Sequence, residues 1–87
     1  MDLKEWRNRI DEVDEQLLRL LSIRTQLAIE IGRSKREEGI ELHDPARETE
    51  VVRRVLEANP GVPDAEAISR LFRGIVDESR RAAGNPA

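Results

Sequence analysis

Apolar residues recur along the first third of the chain in alternating steps of four and three. From Trp6 the steps land on Ile10, Val13, Leu17, Leu20, Arg24, Leu27 and Ile31, and all but one of these positions are apolar. A seam with this period marks an α-helix that lies lengthwise against a partner. Leu3, Leu18, Leu21 and Ala28 widen the stripe. No proline interrupts the run before Gly39, and Gly32 is its one internal weak point. The pattern predicts a first helix over residues 3–38, roughly 50 Å long at 1.5 Å per residue. A compact domain of this size does not require so long a helix, and its stripe needs a partner along most of its length.

Gly39 closes the first helix, and residues 40–43 form a short loop. Asp44-Pro45 then reads as an N-cap followed by proline at the first helical position. The second helix, over residues 45–58, carries Val51, Val52, Val55 and Leu56 and stops at Asn59-Pro60-Gly61. Pro63-Asp64 repeats the start signal. A third helix over residues 64–83 aligns Ile68, Leu71, Phe72, Ile75, Val76 and Ser79 on one face, and fraying is expected from Ala82 to Pro86. No segment alternates as a strand does. The reading is an all-α fold of three helices with a very long first helix, residues 1–87 making one domain.

Composition turns the long stripe into a statement about assembly. A chain of 87 residues buries only about 60% of its unfolded surface, so its own core seldom suffices. With no cysteine, neither a disulfide nor a Cys-based zinc site is available, and a single histidine, His43, excludes a His-rich metal cluster. Oligomerisation is the remaining device. Trp6 and Phe72 are the only aromatic residues, so the core is built from Leu, Ile, Val and Ala. The net charge is −3 with cations and carboxylates intermixed, which is no nucleic-acid footprint. No apolar run has the length of a membrane span, and MDLKEWRNRI lacks a signal-peptide core. The expected setting is cytoplasmic.

The informative positions are polar groups standing where the pattern asks for apolar ones. Arg24 occupies the seam. Lys35 lies eleven residues on, about 20° away around the helix and roughly 16 Å along it, with Ala28 and Ile31 between. Ser79 follows Ile75 and Val76 on the apolar face of the third helix. Each has a plain alternative. Arg24 can set register or snorkel to solvent. Lys35 can complement the helix dipole, Asp44 can simply cap, Glu48 is favourable in any first turn, and Ser79 can bond to its own helix. Together they leave cations and small polar groups converging on an apolar pocket, which suits an organic anion. Arg7 stands apart, roughly 25 Å from Arg24 on one straight helix. In an antiparallel two-fold dimer crossing near Glu15 and Gln16, Arg7 of one chain approaches Arg24 of the other, giving two equivalent sites.

The segments WRNRIDEVDEQLLRLLSIRTQLAIEIGRSK, HDPARE and AISRLFRGIVDES resemble the all-helical class of chorismate mutases, from Leu3 to about Ala83. Those enzymes occur alone or fused to other shikimate-pathway enzymes. The resemblance implies an intertwined antiparallel homodimer that isomerises chorismate to prephenate for phenylalanine and tyrosine biosynthesis, with no metal and no cofactor. It implies that Arg24 and the partner chain's Arg7 bind the substrate carboxylates, and that Lys35 donates to the ether oxygen and a carboxylate. Asp44 and Glu48 then hold the ring hydroxyl, Arg47 organises that corner, and Ser79 contacts a carboxylate. Ala28, Ile31, Val51 and Val76 form the apolar walls. The resemblance also implies a fused or associated shikimate-pathway enzyme as a further partner.

Such chemistry fits these residue types. The rearrangement is unimolecular and pericyclic, so it needs no nucleophile or proton transfer. A catalyst has to hold the enolpyruvyl arm over the ring and stabilise charge building on the ether oxygen. One position departs from the family pattern. Ala83 stands where members usually carry Gln or Glu, a second donor to the ether oxygen. Two other functions on the same scaffold stay open: a weakly catalytic domain that senses chorismate or prephenate, and isochorismate pyruvate lyase. HDPARE, with Asp44 and Glu48, favours the mutase over the lyase.

Overall fold

The computed structural model describes residues 1–84. Three helices follow in order: α1 Leu3–Glu38, α2 Pro45–Ala58 and α3 Ala65–Gly84. Their ends are set by local chemistry. The Asp2 carboxylate accepts from the Glu5 N–H at 2.9 Å, satisfying an orphan donor of α1. At the other end Gly39 takes a left-handed φ of 71°. Its N–H reaches the Arg36 carbonyl at 3.2 Å, and the Ile40 N–H reaches that of Lys35 at 2.8 Å. That pair is the Schellman closure, which needs a residue free of Cβ strain.

Asp44 caps α2 by accepting from the Arg47 N–H at 3.1 Å. In the second loop Asn59 donates to the Pro63 carbonyl at 2.8 Å and accepts from the Gly61 N–H at 3.2 Å. One side chain thus spans the turn. Asp64 accepts from the Ala67 N–H at 2.9 Å, so it is the cap of α3 and not its first residue. The expected fraying does not begin at Ala82: α3 remains helical through Gly84. Asn85 and Pro86, the rest of that stretch, lie outside the described residues.

α3 packs against both α1 and α2, whereas α1 and α2 make no close backbone approach to each other. α3 is therefore a floor, with α1 and α2 as facing walls. The interior is small: Val52, Val76, Ala82, Ser79 and Gly32 are the buried residues. Gly32 marks where α3 comes closest to α1. A Cβ there would lie 2.9 Å from the Ala83 carbonyl oxygen and 3.1 Å from its Cβ. The glycine that weakens α1 as an isolated helix is what lets α3 approach it.

The molecule measures 55 × 27 × 15 Å, and α1 sets the long dimension. Every residue before Arg24 is exposed. Trp6, Ile10, Val13, Leu17 and Leu20 retain between 51 and 63% of their surface. No part of the described chain covers this half of the seam. No helix among the described residues is long and apolar enough to cross a membrane.

Candidate active site

A cavity of about 330 Å³ opens between α1 and α2 above α3. α1 contributes Arg24, Leu27, Ala28, Ile31, Gly32 and Lys35, spaced so that they fall on one helical face. The first loop adds Leu42 and Asp44, and α2 adds Arg47, Glu48 and Val51. α3 closes the floor with Val76, Ser79, Arg80 and Ala83. The middle of the cavity is apolar and its ends are charged. Four cations (Arg24, Lys35, Arg47 and Arg80) and two carboxylates (Asp44 and Glu48) line it. Arg47 pairs with Glu50 and Arg80 with Glu48 and Asp77, which leaves Arg24 and Lys35 as the lining cations without a carboxylate partner among the described residues. The chain as a whole carries −3, so these two unpaired cations run against the overall sign, and a concave site with apolar walls concentrates their field.

Contacts within the cavity distinguish between the readings of its polar residues. Arg24 is partly buried and its guanidinium donates to the hydroxyl of Ser79, across from α1 to α3. Arg24 therefore turns inward, and the hydroxyl of Ser79, itself only 9% exposed, faces a cation. Lys35 donates from Nζ to the Leu42 carbonyl at 3.3 Å, a long bond that ties the first loop to α1. Asp44 has the capping role that its position alone suggested, and it also lines the cavity. The Arg47 side chain pairs with Glu50 at 3.2 Å on its own helix. Its link to Asp44 runs through the backbone N–H.

Ten of the eleven residues singled out in sequence meet here: Arg24, Ala28, Ile31, Lys35, Asp44, Arg47, Glu48, Val51, Val76 and Ser79. Arg7 does not. It sits on the exposed N-terminal part of α1, 17 positions before Arg24 and so roughly 25 Å away along the helix axis. Within one chain no bend of α1 brings it nearer. Sequence reasoning had not placed Arg80, Leu42, Leu27 or Gly32 in the cavity. Helical spacing from Ile31 was enough to find Leu27. Arg80 had no such signal, because it follows Ser79 directly and so falls about 100° from it.

The cavity lacks a donor at Ala83. That residue's carbonyl accepts from Arg36 Nη1 at 2.8 Å, which holds the last turn of α3 against α1. Among the described residues no group of three His, Cys, Asp or Glu is arranged to hold a metal ion. Outside the cavity, α3 carries a tight ion pair between Glu78 and Arg81. A hydrogen bond from Arg81 holds the Glu78 carboxyl below the usual carboxylate range, and the same bond raises Arg81.

Three helices around a cation-rimmed apolar cavity define an all-helical protein whose site suits a small organic anion. Residues 6–83 match the profile of the family described as chorismate mutase type II, and the chain belongs to that family. Over 79 residues it is 39% identical to the bifunctional chorismate mutase/prephenate dehydratase of Aquifex aeolicus, covering 86% of this chain and 22% of that protein. The T-protein of Haemophilus influenzae is 32% identical over 78 residues, covering 88% of this chain and 21% of that one. The chain thus spans about a fifth of the length of these curated relatives. Form II of the chorismate mutase from Thermus thermophilus superimposes with a TM-score of 0.92 at 36% identity, covering 95% of this chain and 94% of that one.

Proposed function

We propose that this chain converts chorismate to prephenate as a homodimer, each site being completed by the partner's Arg7. The observation that carries this reading is the cavity itself, an apolar slot lined by two cations, Arg24 and Lys35, that have no carboxylate partner among the described residues. A dicarboxylate with an unsaturated ring matches that distribution. Arg24, backed by Ser79, takes one carboxylate, and the partner's Arg7 takes the other side of the substrate. Lys35 donates to the ether oxygen, where negative charge builds as the C–O bond breaks ahead of C–C formation. Asp44 and Glu48 hold the ring hydroxyl, and Arg47 orders their corner through its backbone. Ala28, Ile31, Val51 and Val76 confine the enolpyruvyl arm over the ring, so the entropy of folding it is met on binding. No proton moves and no covalent intermediate forms.

The dimer rests on surface as well as on Arg7. A compact 9.9 kDa monomer exposes about 5,200 Å² by the usual scaling with mass. This chain exposes 6986 Å². The excess, roughly 1,800 Å², is what a protomer needs to cover in an extensive permanent interface. The apolar residues of the seam before Arg24 keep half or more of their surface exposed, and a second copy in antiparallel register would present the same seam to them.

Prephenate then feeds phenylalanine and tyrosine synthesis in the cytoplasm, with a fused or associated enzyme of that route as a further partner. Ala83 supports a second reading, a chorismate- or prephenate-sensing domain with little turnover, because the usual second donor to the ether oxygen is missing. One assay decides: chorismate absorbance is followed with the purified chain and the product is identified. Prephenate formation at a protein-dependent rate supports the mutase, and binding without turnover supports the sensor. Release of pyruvate contradicts both.

A further inference from the structure

We infer that Arg80 is a positioning residue that aims Glu48 at the ligand's ring hydroxyl and so sets the site's preference for a hydroxylated substrate. This deepens the mutase reading and rests on it. Arg80 projects from α3 with its guanidinium shared between two carboxylates. Nη1 donates to Glu48 Oε1 at 2.8 Å and Nη2 to Asp77 Oδ1 at 2.9 Å. Asp77 lies three residues earlier on the same helix, so it holds the planar fork in place. Glu48 lies on α2, across the cavity rim. Among the described residues the other ion pairs are local, joining residues three or four apart on one helix. Arg80–Glu48 is the pair that bridges two helices.

The chemistry of the cavity gives that bridge a purpose. A carboxylate beside a dianion's site repels the ligand unless its charge is compensated, and the Glu48 side chain is only 25% exposed. Arg80 supplies the compensation from the rim, lining the cavity while its side chain stays 44% exposed. An ion pair so open to water contributes little to fold stability. It engages Oε1, while Oε2 has no protein partner among the described residues and is left to accept from a hydroxyl. Fixing one oxygen orients the other.

The test is a binding cycle with two bicyclic dicarboxylate analogues of the rearrangement transition state, one bearing the secondary hydroxyl and one lacking it. Wild type, Arg80→Ala, Arg80→Lys, Arg80→Gln, Glu48→Gln and the double variant Arg80→Ala with Glu48→Gln are titrated with both, after melting curves establish that each variant is folded. Arg80→Ala should lose about tenfold more affinity for the hydroxylated analogue than for the other, as expected for a charge-assisted hydrogen bond. Lysine should restore part of the difference and glutamine little of it. In the Glu48→Gln background Arg80→Ala should add no further discrimination. With chorismate, KM should rise more than kcat falls, because a hydroxyl contact is made in ground and transition states alike. Equal losses for both analogues, or none, would overturn the role assigned to Arg80 and leave the mutase reading intact. A wild-type chain that binds neither analogue and turns over no chorismate removes both.

Discussion

The two halves of α1 use the same heptad seam in different ways. After Arg24 the seam faces α3, and its residues line a cavity or meet the neighbouring helix at Gly32. Before Arg24 the seam faces nothing among the described residues, yet it is the more uniformly apolar of the two, from Trp6 through Leu20. Apolar burial contributes about 25 cal/mol per Å², so a stretch this exposed contributes almost nothing to a lone chain. The C-terminal half is interrupted by Arg24 and Lys35 and tolerates them because they face a cavity. On the proposed reading, continuity of the seam serves assembly and its interruptions serve the chemistry.

The sharpest way to break this comparison is to place a charge in the N-terminal half. Leu17→Glu alters a side chain that is half exposed in one chain. On a monomer it should change stability by no more than about 0.5 kcal/mol. In a two-fold seam it buries two carboxylates near the crossing, each uncompensated charge costing about 3–5 kcal/mol. The folded state should be lost at micromolar protein, and the wild-type melting temperature should rise with concentration. A concentration-independent midpoint with a monomeric sedimentation mass would remove the dimer.

A smaller effect is expected where α1 meets α3. Gly32→Val places a side chain against the Ala83 carbonyl, which a built Cβ already approaches to 2.9 Å. α3 has to shift, at a cost of about 1–3 kcal/mol. That shift also stretches the Arg24–Ser79 contact. Thermal melts should show the loss of stability, with a fall in kcat/KM beside it. Unchanged activity at reduced stability would mean that the cavity does not depend on this crossing.

The smallest effect concerns Ala83. α3 continues through this position, so a glutamine there extends from an ordered helix at the cavity floor. Ala83→Gln should raise kcat about tenfold, well short of the two to three orders of magnitude that an unencumbered oxyanion donor supplies. The shortfall follows from crowding, since the Ala83 Cβ leans on Gly32 and its carbonyl is held by Arg36. Affinity for a bicyclic transition-state analogue should rise in parallel while KM changes less. No change in either quantity would place the missing donor elsewhere.

Much of this arrangement is legible in sequence because helices have one period. Steps of four and three fix the face of α1, and the cap Asp44 and the closing Gly39 fix where elements begin and end, while Asp64, read as the first residue of α3, is its cap. That Arg24 is out of place in an apolar seam is legible too, but its inward turn, against the alternative of reaching solvent, is shown only by its contact with Ser79. The role of Gly32 is not legible, since a glycine within a helix reads as weakness until the helix that crosses it is known. Nor is the contact of Arg80 with Glu48, which joins residues 32 positions apart on different helices. Periodicity orders residues around one helix and says nothing about how far a long side chain reaches to the next. Arg7 shows the reverse case: its distance from Arg24 is evident from the rise of the helix alone.

The central claim is that the two halves of α1 meet only across a dimer, the partner's Arg7 completing the cavity that contains Arg24. Arg7→Ala and Arg24→Ala should each fold and be nearly inactive toward chorismate. When the two are mixed and subunits exchange, each heterodimer has one site with both arginines intact. Recovery should approach a quarter of wild-type activity per chain, because half of the dimers are then mixed and each carries one working site. Exchange demonstrated by mass, with no recovered activity, would contradict the claim.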